Sequence, residues 1–103
     1  MADYVKGDFM EGLYMTDGIK RRIFEDEKFS HFVFKCLRKF MTDDWGDLGE
    51  EDKKLNDEAL KTGDRILASY HYDTDGEDRV WIIADAEDEQ KRRIVTILLP
   101  EEY

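Results

Sequence analysis

The chain has 103 residues, enough for one domain around a single modest core. Its 41% hydrophobic and 13% aromatic content marks a folded globular chain and excludes a disordered tail. The 26 Asp+Glu against 16 Lys+Arg leave a net charge of −10, which repels phosphate backbones and argues against direct nucleic-acid binding.

Two roles for that charge remain: solubility, or imitation of a polyanion in front of a basic partner. Cys36 is the single cysteine, so no internal disulfide can form, and a reducing, cytoplasmic setting is expected. No run of residues reaches the length of a membrane span and none resembles a secretory leader.

In chain order, the first eight residues are polar. Phe9–Met15 is rich in strand formers, with Gly12 suggesting a bulge. Thr16 then suits the N-cap of a short helix Asp17–Phe24 that buries Ile19, Ile23 and Phe24. Lys20, Arg21 and Arg22 make the one compact basic cluster, read as a solvated helix face.

Glu27–Met41 carries the clearest pattern. Phe29, Phe32, Val33, Cys36, Leu37, Phe40 and Met41 repeat at three- and four-residue spacing, the mark of an amphipathic helix. Cys36 on that stripe reads as a buried, inert thiol. Phe34 falls off the stripe and is a candidate contact, while His31 lies on the polar side, too far in sequence from His71 to suggest a metal pair.

The next stretch, Asp43-Asp44-Trp45-Gly46-Asp47, joins this helix to a third over Leu48–Lys61, with Asp47 as N-cap and Gly63 as the left-handed C-terminal residue. Leu48, Leu55 and Ala59 mark the third helix's apolar stripe. Asp52 and Asn56, four residues apart, fall on or beside it. The plain expectation is that this polar pair hydrogen-bonds the Trp45 loop and fixes its shape; the sharper one is a ligand or partner site at the loop.

Three strands follow: Arg65–Tyr72, the nearly all-apolar and therefore central Arg79–Ala84, and Arg92–Leu99, ended by Pro100. Asp73-Thr74-Asp75-Gly76-Glu77-Asp78 between the first two is a strong hairpin signal and lacks the ligand spacing of a calcium loop. The expected fold is α+β: an antiparallel three- to four-stranded meander with two or three helices packed on one face, as a single domain over 1–103.

Several of these segments together resemble a known family. Asp44-Trp45-Gly46-Asp47-Leu48, Glu51-Asp52, Asn56-Asp57, Ala59-Leu60, Gly63-Asp64-Arg65-Ile66-Leu67 with Ser69 and Tyr70, Trp81-Ile82-Ile83, and Thr96-Ile97-Leu98-Leu99-Pro100-Glu101-Glu102-Tyr103 carry the likeness. It is similar to small proteins borne on plasmids, phages and other mobile elements, and spans roughly 10–103. The chain departs from that pattern at Phe40, where relatives often have histidine, and at Ile83-Ala84-Asp85-Ala86-Glu87-Asp88. The resemblance implies no established reaction; it implies a mobile-element gene, and small acidic proteins of such elements are often inhibitors of host defence, anti-CRISPR proteins among them.

An enzyme would need a nucleophile with its base, a metal cluster or a phosphate loop, and none stands out. The expectation is a binding protein in the bacterial cytoplasm with no catalytic residue, metal or cofactor. It would block nucleic-acid access to a CRISPR effector such as a Cas nuclease. The candidate contacts are Asp43, Asp44, Trp45, Asp47, Glu50, Glu51, Asp73, Asp75, Glu77 and Asp78, with Asp52 and Asn56 as loop support. The alternative is a small regulatory or accessory module binding a ligand or protein at the Trp45 loop.

Overall fold

The computed structural model describes residues 12–72 and 77–103, so the Phe9–Glu11 part of the first expected strand and Asp73–Gly76 of the expected turn lie outside it. The order is β1 (Leu13–Met15), α1 (Asp17–Glu25), α2 (Glu27–Met41), α3 (Glu50–Thr62), β2 (Ile66–His71), β3 (Arg79–Ala84), β4 (Val95–Leu98) and a closing 3₁₀ turn, Pro100–Glu102. Pro100 suits the first position of that turn because it needs no N–H donor there.

β2, β3 and β4 form the expected antiparallel meander, with β3 inside the sheet. β1 corrects the all-antiparallel expectation. It pairs parallel to β4, Leu13 opposite Val95 and Met15 opposite Ile97, giving the order β1-β4-β3-β2. A parallel pair needs a long crossover, and here everything from α1 to β3 supplies it.

The two-residue period of the strands separates the faces. Ile66, Ala68, Tyr70, Val80, Ile82, Ala84, Val95 and Ile97 line one side and join Ile19, Phe29, Val33, Cys36, Leu37 and Phe40 in the core. α1 lies over β4, α2 over β3, and α3 runs beside β2. The helical stripe is therefore the core face of α2, as its periodicity demands, except that Phe32 is only half-buried against Tyr72 at 4.9 Å between ring centres and Met41, at the helix end, is 53% exposed. Phe24, expected inside, is 91% exposed because it follows Ile23 directly and so points about 100° away from the Ile19–Ile23 row. The other sheet face carries Leu67, Trp81, Ile83 and Leu98, with the Tyr103 ring edge-on to Trp81 at 5.7 Å.

The N-terminus of α1 is not capped by Thr16 as expected. Glu102 does it instead: its carboxylate accepts from the Gly18 and Leu99 amides at 2.9 Å and from the Thr16 hydroxyl. A Cβ on Gly18 would come within 2.6 Å of that carboxylate, so the glycine makes room for the clasp. Asp26, between α1 and α2, caps α2 by accepting from the Lys28 and Phe29 amides. Among the described residues no helix is long and apolar enough to cross a membrane.

Candidate functional site

The stretch between α2 and α3 is built around Trp45. Its ring is 3% exposed, packed edge-on to Phe40 at 5.3 Å. That corrects the expectation of a partner contact: the largest side chain of the loop belongs to the core. Its indole N–H donates to Asp57 at 2.9 Å, so a carboxylate from α3 satisfies the one polar atom that burial would orphan.

Gly46 turns the chain at φ 80°, with its amide held by the Asp44 carboxylate at 3.1 Å. A Cβ there would lie 2.2 Å from the Ser69 carbonyl oxygen. The close approach lets the loop run alongside β2 as an added bridge, Gly46 beside Ser69. The Ser69 amide donates to the Trp45 carbonyl at 3.3 Å, and the Asp47 amide donates to the Ser69 carbonyl at 2.7 Å.

The neighbouring outward-facing groups of β2 are closed in the same way. The Asn56 amide donates to the Leu67 carbonyl at 2.8 Å, and its oxygen accepts from the Leu67 amide at 3.4 Å. Asp47 Oδ2 accepts from the His71 amide at 2.9 Å and lies 2.8 Å from His71 Nδ1. These hydrogen bonds, the amide's first, hold the Asp47 carboxyl below the usual carboxylate range. Leu67, Ser69 and His71 are every second residue of an edge strand, and all three have partners outside the sheet. The loop and α3 together cover an edge that would otherwise template association with another strand.

That arrangement reassigns three residues. Asn56 is buried and polar, but it supports β2 and not the Trp45 loop. Asp52 is exposed in the first turn of α3, and Asp57 is the acid that holds Trp45. Asp47 is not the N-cap, because α3 starts later, after Gly49, and its carboxylate is engaged by His71. Leu55, expected on the apolar stripe, is 61% exposed, and Ala59 and Asn56 form the inner face. Gly63 does end the helix in the left-handed conformation, φ 85°.

Of the candidate acidic contacts, Asp43, Asp44, Glu50, Glu51 and Glu77 are exposed, and Asp73 and Asp75 lie outside the described residues. Asp78 is occupied: Arg22 holds it through both guanidinium nitrogens at 2.9 and 2.7 Å. The Arg22 plane also lies 3.9 Å above the Phe29 ring, so this arginine leaves the expected solvated cluster and pins α1 to the start of β3. Its guanidinium keeps the Asp78 carboxyl below the usual range.

Cys36 is buried, and burial pushes its thiol up to about 12, the opposite of what a nucleophile needs. What stays at the surface is a set of carboxylates on the loop and α3. Asp43 and Asp44 come from the loop, and Glu50, Glu51, Asp52 and Glu58 from α3. Beside it, a cleft of about 710 Å³ opens between Phe40, Trp45, Leu60, Ile66 and Ile94. Compared with family models, curated proteins and solved structures, the chain matches none of them.

Proposed function

We propose that this chain is a non-enzymatic inhibitor of a host defence nuclease, of anti-CRISPR type, carried by a mobile element and acting in the bacterial cytoplasm. Its acidic surface would occupy a Lys/Arg-lined groove meant for DNA or guide RNA. The observation that supports this is the set of carboxylates itself. Asp43, Asp44, Glu50, Glu51, Asp52 and Glu58 are exposed on a loop and helix anchored to β2 and to Trp45, so the carboxylates are presented on a fixed backbone. Fixed charges lose little freedom on binding, which favours a polyanion mimic over a flexible acidic tail.

The test is a nuclease-protection assay against a panel of CRISPR effectors, run at low and high salt. Inhibition should be strong at low salt and weaken steeply as salt rises. Reversing Glu50, Glu51, Asp52 and Glu58 together to Lys should abolish it. Protection by that variant equal to the parent's would rule the reading out. The cleft beside Trp45, apolar at Phe40, Leu60 and Ile66 and charged at Asp88, Lys91, Arg92 and Arg93, favours a second reading, an accessory module that binds a small ligand with an apolar part. An apolar fluorescent probe binding there with little response to salt would select it.

A further inference from the structure

Charge is distributed unevenly over the two long helices. On α2, Lys28, His31, Lys35, Arg38 and Lys39 are exposed, and no acidic residue occurs between Glu27 and Asp43. Phe34 stands among them, 49% exposed, with His31 three residues before it and Arg38 four after, hence on one helical face. On α3 the balance reverses: Glu50, Glu51, Asp52, Asp57 and Glu58 face three lysines. Leu55 stands there 61% exposed, with Glu51 and Asp52 four and three residues before it and Glu58 three after. One exposed apolar side chain has basic and no acidic neighbours along its helix, and the other has mainly carboxylates.

We infer that the α2 face docks the α3 face of a second copy of this chain, Phe34 against Leu55, with Lys35 and Arg38 meeting Glu51 and Glu58. The argument is charge complementarity around two apolar centres, both of them on this chain. A nucleic acid on α2 would meet a molecule of net charge −10. The same net charge repels a second copy at long range. Salt confines that repulsion to about 8 Å under physiological conditions, so short-range complementarity decides a weak association. The two patches differ, so the contact is head-to-tail and repeats from copy to copy wherever the rotation does not close it into a ring.

Sedimentation velocity from about 10 μM to about 1 mM should show species growing with concentration and no fixed stoichiometry. Lys35→Glu with Arg38→Glu should weaken association at least about tenfold, as should Glu51→Lys with Glu58→Lys. Mixing the two variants should restore growth, because the intact α3 face of the first meets the intact α2 face of the second and the two reversed faces complement each other in turn. Placing all four changes in one chain should restore open-ended growth. Recovery on mixing is a gain of signal from two variants that associate poorly alone, which misfolding of either would not produce. A parent that stays monomeric over the whole range overturns the inference, as does a mixture that forms no complex. The measurement contains no nuclease, so its failure leaves the inhibitor reading standing, and the converse holds.

Discussion

Trp45 and Gly46 show how much one residue decides in this chain. The indole N–H is buried and has Asp57 as its acceptor, so Asp57→Ala should cost about 1–3 kcal/mol in thermal or urea unfolding. Asp57→Asn keeps an acceptor and should cost less. Asp52→Ala, on an exposed side chain one turn earlier, should stay within about 0.5 kcal/mol. An Asp52 effect as large as that of Asp57 would contradict the assignment. Gly46→Ala should be worse than either, above about 3 kcal/mol. It combines a left-handed backbone with a Cβ 2.2 Å from the Ser69 carbonyl. Gly49, with nothing within 4 Å of its would-be Cβ, serves as the control: alanine there meets no clash and should cost only about 0.5–1 kcal/mol, the loss of a preferred N-cap residue.

At the scale of elements, the decisive feature is the closed edge of β2. Asn56→Ala should leave both polar groups of Leu67 without their partner, costing about 2–3 kcal/mol, and should speed hydrogen exchange at the Leu67 amide. An unchanged exchange rate there would show that the amide is protected by something else. The same element shows what could be read in advance. The bounds of α2 and β3 follow from local apolar periodicity and agree with the structure at both ends. The core stripe of α2 was legible for the same reason. The partner of Asn56 was not. A polar residue on an apolar stripe signals a buried hydrogen bond, but its partner lies 11 residues on, across a turn whose geometry no spacing reveals. The loop acids misled in the same way: Asp47 looks like an N-cap locally and is claimed by a strand that folds back beside it. The parallel β1–β4 pair was likewise hidden, because register across a crossover of almost the whole chain leaves no local pattern.

Across the whole molecule, three carboxylates hold distant parts of the chain together: Glu102 joins the closing turn to α1, Asp78 joins β3 to α1, and Asp47 joins the loop to β2. Partial burial works to raise the Glu102 carboxyl, but hydrogen bonds from Thr16, Leu99 and Gly18 outweigh it and bring the group below its usual range. Asp78 and Asp47 are lowered as well, by the Arg22 guanidinium and the His71 amide. A carboxyl depressed on folding binds its proton more readily in the unfolded chain. Its contribution is therefore complete above the unfolded value, 4.5 for Glu102 and 3.8 for the aspartates, and fades as pH falls through the folded one. Unfolding by urea should show stability flat from neutrality to about pH 5 on this account and declining below pH 4. Glu102→Gln tests the assignment to one group. The amide keeps the shape but cannot hold negative charge over the first turn of α1. The variant should be weaker than the parent at pH 7, and the gap should close as the parent's own Glu102 takes up its proton below pH 4. A gap of equal size at both pH values would mean that Glu102 contributes by shape alone, and the acid sensitivity would then belong to Asp78 and Asp47.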